Sequence, residues 1–268
     1  MMFNKILGRI VRPVTSSFRP GAVAMFHIGR CGSTVLADIL QQNKRIYWDG
    51  EIYQTYCTWL ESKGAELAPN SLRGKDPIKL LQRHMRFSGA RYYGFAVKFY
   101  NLRCYGVDPR MFVDEVEKRG VDHFILLERR NYLRKIVSSV VAREIGKYHF
   151  SAGSNPELVR VKIDVDDLDI DYDRKPLLDY LREFREDILK FESLMEHHRF
   201  LKLTYEDDII KDPIKASVTV CNFLGVPPVE AAVRYNRSTP FHLRDVILNF
   251  SQVEAALSGT EFAWMLNA

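Results

Sequence analysis

The spacing of apolar positions changes repeatedly along the chain, and each change marks an element. Residues 22–28 are small or apolar throughout except for His27, the pattern of a strand buried on both faces. After Gly29-Arg30-Cys31-Gly32-Ser33-Thr34, the residues Val35, Leu36, Ile39 and Leu40 fall at helical intervals. Residues 45–48 read as a short second strand, and 53 to about 67 as a helix broken at Pro69-Asn70-Ser71. Asp76-Pro77 gives an N-cap and a first-turn proline to a helix running to 86. Residues 92–99 read as strand, 109–119 as a helix closed by Gly120, and 123–127 as a central strand. Leu133, Ile136, Val137, Val140 and Val141 share one face of a helix over 132–145. A second long helix covers 177–195, a last strand 200–203, and Asp212-Pro213 opens a helix that stops at Gly225. One or two short helices follow Phe241, whereas 151–176 lacks a period and holds most of the local acid.

Strands that alternate with helices predict an α/β fold, a mainly parallel central sheet flanked by helices on both faces. The expected organisation is one domain over residues 21–268 behind a basic segment, 1–20. Ligands of such sheets bind beyond the carboxyl ends of the strands. The Gly29–Thr34 turn, Glu51, Lys98 and Arg129-Arg130 all fall at such ends.

The chain has 268 residues, a formal charge of +5 and a pI near 8.9. That balance suits an anionic ligand and is too mild to imply nucleic acid. Cys31, Cys57, Cys104 and Cys221 are scattered without metal-ligand or disulfide-framework spacing, so reduced thiols in a cytoplasmic setting are expected. No apolar run is long enough for a membrane span. Residues 1–20 carry Lys5, Arg9, Arg12 and Arg19 and no acid, with Ile6, Leu7, Ile10, Val11 and Val14 at helical spacing. A weak membrane-surface contact and a tail packed on the domain are both open readings of that segment; a secretory signal is not.

A strand, a glycine-bearing turn and a helix make a P-loop-like phosphate cradle, because free backbone N–H groups and the helix dipole face one anion. Gly29 and Gly32 permit close backbone approach, Arg30 adds charge, and Ser33 and Thr34 add hydroxyls. The nucleoside triphosphatase motif needs Gly-Lys-Ser/Thr, and no lysine precedes the hydroxyl pair here. The turn resembles instead the 5′-phosphosulfate loop of the sulfotransferases, in the Arg-Cys-Gly-Ser-Thr form of their carbohydrate and bacterial branches. A second match lies in residues 124–144, where Arg130 precedes Ser138 by eight positions, similar to the family's 3′-phosphate motif. Guanidinium plus hydroxyl is suited to a terminal phosphate. Leu203–Pro228, with Tyr205-Glu206-Asp207, Asp212-Pro213 and Phe223-Leu224-Gly225-Val226, resembles a third family segment, and 236–260 its closing one. The resemblance spans most of residues 22–262 and leaves out 1–20 and 151–176.

It implies a sulfotransferase that uses 3′-phosphoadenosine 5′-phosphosulfate (PAPS) as donor, releases adenosine 3′,5′-bisphosphate (PAP) and needs no metal. Arg30, Cys31, Gly32, Ser33, Thr34 and Val35 would hold the 5′ end, Arg130, Ser138 and Arg237 the 3′-phosphate, and Tyr205 the adenine side. Arg30 and Lys98 would neutralise charge at the transferring group. The catalytic histidine of the cytosolic branch falls on Tyr100, and Glu51, placed like the carbohydrate-branch glutamate, would be the base. A sugar or glycolipid hydroxyl is the preferred acceptor. A small-molecule alcohol or phenol enzyme and a catalytically silent nucleotide-binding protein are the alternatives. His27 reads as a strand-end polar residue, and a metal-binding role for Glu128 is opposed by the arginines beside it. The run 163–173 resembles a calcium loop but lacks the glycine and terminal glutamate, so a solvated loop near the acceptor entrance is expected.

Overall fold

The chain runs β1 (Ala22–His27), α1 (Ser33–Gln41), β2 (Ile46–Trp48), α2 (Ile52–Glu61), α3 (Pro77–Met85), β3 (Tyr92–Lys98), α4 (Phe99–Tyr105), α5 (Pro109–Glu117), β4 (His123–Glu128) and α6 (Tyr132–Glu144). It continues with β5 (Phe150–Ser151), β6 (Leu168–Ile170), β7 (Asp173–Lys175), α7 (Leu177–Leu194), β8 (Phe200–Thr204), α8 (Pro213–Phe223), β9 (Tyr235–Asn236), α9 (Leu243–Val246) and α10 (Phe250–Leu257). This computed structural model describes residues 18–267, so the amphipathic and membrane-surface readings of residues 1–17 lie outside the described residues.

Every residue of β1 is buried, because the strand sits in the middle of a five-stranded sheet ordered β2-β3-β1-β4-β8. All its neighbouring pairs are parallel, as the unbroken apolar runs require of strands covered on both faces. Alternation divides the side chains between two layers. Ala22, Ala24 and Phe26 join the core under α2, α3, α5, α6 and α7. Val23 and Met25 face the layer of Leu36 and Leu40 from α1 with Val220 and Cys221 from α8. The chain leaves β1 toward β2 on one side and later returns to β4 on the other, which opens a crevice at the carboxyl ends.

The helix starts follow their sequence signals. Asp76, Asp108 and Asp212 each precede proline and accept backbone N–H bonds from the first turns of α3, α5 and α8. Pairing of β2 with β3 extends past Trp48 through the Asp49 N–H to the Gly94 carbonyl, 2.7 Å, and the Ala96 N–H to the Gly50 carbonyl, 2.8 Å. That extension sets Glu51 at the sheet end. Gly94 is needed there, since a Cβ would stand 2.4 Å from the Trp48 ring.

Some elements differ from expectation. The helix at 53–67 ends at Glu61, and the turn beyond it has Gly64 in the left-handed region, φ 84°. Helix α4 starts directly after β3 with no breaker between them, so the apolar run hides the change. The aperiodic stretch 151–176 contains the β6–β7 hairpin, in which Leu168 and Ile170 are buried beside Ile163. Its tip turns through Asp171 and Tyr172, both at positive φ (55° and 63°). Strand β9 pairs antiparallel with β5 and ties the closing segment to the loop after α6. All four cysteines are buried. Among the described residues no helix is long and apolar enough to cross a membrane.

Candidate active site

A cleft of about 1400 Å³ opens beyond the carboxyl ends of the sheet strands. Its floor is the turn after β1. Gly29, Arg30 and Gly32 all hold positive φ (86°, 54° and 82°), and for Arg30, which carries a side chain, that is a strained conformation. A Cβ on Gly32 would meet Ile209 Cγ2 at 2.6 Å, so the close approach of the turn to the Tyr205–Ile209 segment requires glycine. Helix α1 begins with no side-chain cap and no acid in its first turn. The Thr34 and Val35 N–H groups have no backbone or side-chain acceptor among the described residues. An uncapped helix start facing a cleft is an anion cradle.

Strand register brings the next groups together. His27 lies opposite Lys98 across β1 and β3. Lys98 Nζ donates to Glu51 Oε2 at 2.6 Å, and Ser33 Oγ donates to Glu51 Oε1 at 3.3 Å. His27 is wholly buried beneath this pair. Its Nδ1 accepts the Gly29 N–H at 3.1 Å, which fixes the proton on Nε2, 3.5 Å from Glu51 Oε1. Burial tends to raise the Glu51 carboxyl, but the Lys98 charge and hydrogen bond, with His27, override it and leave its pKa at about 2. His27 moves down to about 4, through burial above all and through Lys98 and Lys135, against the pull of Glu51. His27 is therefore neutral at pH 7 and supports the loop as a polar strand-end residue.

This gives a pH dependence of folding with a definite sign. Both groups hold their protons more weakly in the folded chain than in the unfolded one. The His27 contribution is complete above 6.5 and is lost as pH falls through about 4; the Glu51 contribution is complete above 4.5 and is lost toward about 2. Wild-type stability should drop by about 1–3 kcal/mol between neutrality and pH 4 from His27. Denaturant titrations across that range should show the slope flattened in His27→Asn; an unchanged slope would place the titrating group elsewhere.

On the opposite wall, the Arg30 guanidinium donates to Ser138 Oγ at 3.0 Å, the Tyr148 carbonyl at 2.9 Å and Ser238 Oγ at 2.8 Å. It thereby joins the β1 turn to α6 and to the segment after β9. Arg129, 4% exposed, donates to the Arg30 carbonyl at 2.7 Å and lies 4.4 Å over the Tyr205 ring. Its Nε is buried without a partner. An unsatisfied buried guanidinium N–H beside a cleft is a place for an anion.

Of the residues singled out in the sequence, Glu51, Arg30, Lys98, Gly32, Ser33, Thr34, Val35, Ser138, Tyr205 and Arg237 line this one cleft. Cys31 and Arg130 do not. The Cys31 side chain points into the core, where burial pushes its thiol up to about 12. Arg130 is turned outward and ion-paired to Asp207 at 2.7 Å and Glu206 at 3.8 Å. The spacing to Ser138 singles out Arg130, yet strand alternation and the acidic Glu206-Asp207 turn leave Arg129 in the cleft. Glu128 is bound to Lys202 at 2.8 Å and Tyr132 at 3.3 Å, away from the cleft lining. Sequence reasoning also missed Ser238, Gln54, Tyr172 and His149, which have no local motif and enter through the closing segment, α2, the hairpin and the loop before β5. Among the described residues no three His, Cys, Asp or Glu side chains form a metal-ligand group.

A sulfotransferase from Alicyclobacillus acidocaldarius, known from its crystal structure, is similar over 92% of this chain and 92% of its own, at 13% identity and a TM-score of 0.47. No family model matches this chain, and no curated protein matches it in sequence.

Proposed function

We propose that the protein is a sulfotransferase that moves the sulfuryl group of PAPS to a hydroxyl group. The observation that carries this reading is the Lys98–Glu51 ion pair at 2.6 Å beside the uncapped start of α1, in a cleft whose other wall carries Arg30, Arg129 and Ser138. Two anion-holding ends with a lysine and a carboxylate between them suit a donor with phosphate at both ends of its nucleoside. The Thr34 and Val35 amides with Ser33 would hold the 5′-phosphosulfate, and Arg129, Ser138, Ser238 and Arg237 the 3′-phosphate. Arg30, which already bridges the loop and Ser138, would neutralise charge between them.

Sulfuryl transfer needs an attacking oxygen in line with the leaving oxygen, charge stabilisation on the transferring group, and an acceptor for one proton. Lys98 would shift its ammonium from Glu51 to the sulfuryl oxygens. Glu51, relieved of that cation, would become more basic and take the hydroxyl proton as the new S–O bond forms and the bond to phosphate breaks. Loop amides and arginines supply the positive field that magnesium supplies in kinases, so transfer is expected to persist in EDTA.

The test is binding of PAP followed by transfer from labelled PAPS to a panel of sugars, glycolipids and phenols. PAP should bind and raise the melting temperature, while ATP with magnesium should do so weakly. Arg129→Ala should weaken PAP by about 2–4 kcal/mol, because a charged partner of phosphate is lost. Arg130→Ala should cost well under 1 kcal/mol, like other exposed ion-pair deletions. Calorimetry with the reverse order would restore Arg130 to the site. PAP binding with no sulfated product from any acceptor would leave a silent nucleotide-binding protein.

A further inference from the structure

One face of α2 continues the cleft wall. Glu51 precedes the helix, and Gln54, Thr58 and Glu61 follow at helical intervals, all in the lining. The β6–β7 hairpin faces them, although its sequence falls in the stretch 151–176 that the donor-binding motifs leave out. The two walls are joined by a chain of hydrogen bonds with a fixed direction. Tyr100 Oη donates to Gln54 Oε1 at 2.8 Å, Gln54 Nε2 donates to Tyr172 Oη at 2.7 Å, and Tyr172 Oη donates to Glu61 Oε2 at 3.0 Å. Asn101 Nδ2 also donates to Gln54 Oε1 at 3.3 Å, and Gln54 Nε2 reaches Thr58 Oγ1 at 3.4 Å. The Tyr100 and Tyr172 rings meet edge to face at 5.7 Å.

Direction decides what such a wall can recognise. Both tyrosine hydroxyl protons and the Gln54 amide are spent inside the chain. Apart from the Thr58 hydroxyl, what remains toward the cleft is oxygen lone pairs on Tyr100, Tyr172 and Glu61. The charge of the α2 face itself is negative. Glu61 has no ion-pair partner among the described residues, whereas on the hairpin side Arg143 and Arg174 share Asp169 at 3.8 and 3.6 Å, Lys135 is bonded to Asp171, and Lys147 on the loop before β5 lies 4.5 Å from the Phe150 ring centre. A ligand here is rewarded for donating hydrogen bonds and for positive charge, and penalised for negative charge.

We infer that the α2 face and the hairpin tip form the subsite for the receiving molecule, and that it selects neutral or cationic polyhydroxyl compounds rich in hydrogen-bond donors over anionic ones, with Tyr172 and Glu61 determining specificity. This rests on the sulfotransferase reading of the same cleft. Neither residue touches the Lys98–Glu51 pair, so each acts on binding of the receiving molecule rather than on the chemical step.

Three sugars with one ring and different charge test it: glucosamine, glucose and glucuronate, offered as acceptors to the full chain with PAPS, alongside PAP calorimetry. KM should rise from glucosamine through glucose to glucuronate, spanning about tenfold or more. Glu61→Gln should bring the three KM values to within about twofold of each other. Tyr172→Phe should raise all three several-fold while kcat, melting temperature and PAP affinity stay near wild type. With PAP binding intact, equal KM values, a preference for glucuronate, unchanged KM in both variants, or no transfer to any of the three overturns the inference and leaves the donor reading standing. Wild-type protein that fails to bind PAP overturns the donor reading itself.

Discussion

Lys135→Met should lower folding stability by about 3–5 kcal/mol, the cost of removing one partner from a buried ion pair. Lys135 lies on α6 with its side chain fully buried, and its ammonium is bonded to Asp171, itself only 10% exposed, at the hairpin tip. Burial pulls the Lys135 pKa down, and the Asp171 charge and hydrogen bond oppose that pull. The ammonium also lies 4.5 Å from the Phe184 ring centre. Deleting it leaves the Asp171 carboxylate without its hydrogen-bonded cation, with Arg103 as a more distant charge, at a site that water barely reaches. Asp171 holds φ 55°, a conformation that asparagine tolerates well. Lys135→Met combined with Asp171→Asn should therefore recover most of the loss, since no uncompensated charge remains. Chemical denaturation of both variants decides the matter. If the double variant is no more stable than the single one, the loss comes from Lys135 packing and not from the stranded carboxylate.

That pair also explains why part of the molecule was illegible in the sequence. Lys135 stands beside Arg134, between Leu133 and Ile136, on a helix whose apolar face is flanked by polar residues, where a lysine reads as part of the flank. Its partner lies 36 residues away in a segment whose aspartates hide the buried Leu168 and Ile170. Nothing local signals a pair made only by tertiary packing. The sheet was legible for the opposite reason. β1, β3 and β4 are buried on both faces, so their apolar runs report burial directly, and the Asp-Pro starts of α3 and α8 satisfy their own first-turn amides. The candidate site divides along the same line. Glu51 and Lys98 follow from strand ends, which sequence locates well. The choice between Arg129 and Arg130 depends on which side of the strand end faces Glu206 and Asp207, a fact set by the return of β8 alongside β4.

Glu51→Gln should slow the chemical step by about 10²–10⁴-fold, the usual worth of a positioned general base, while PAP affinity stays within a few-fold. The amide keeps the shape of the side chain, its one oxygen can accept from Lys98 and its NH2 can donate to Ser33 Oγ, but it cannot take a proton. Tyr100→Phe should cost far less. Burial, with Asp171 and Glu51 nearby, holds the Tyr100 hydroxyl well above its ordinary value of 10, so it is not a phenolate at neutral pH. His27 is a poor rival base too, because its Nδ1 is occupied by the Gly29 N–H and its protonated Nε2 is buried with no hydrogen-bond partner. Lys98→Met separates the two roles of the pair. It should lower the rate by removing charge from the transferring group, and it should raise the Glu51 pKa from about 2 toward its ordinary 4.5, since the strongest counter-charge is gone. In single turnover the wild-type rate should stay level from pH 7 to 5, where Glu51 remains ionised, whereas a base with the ordinary histidine value near 6.5 would lose rate across that interval. A Glu51→Gln rate within a few-fold of wild type, or a wild-type rate that falls away around pH 6, would assign the proton to another group.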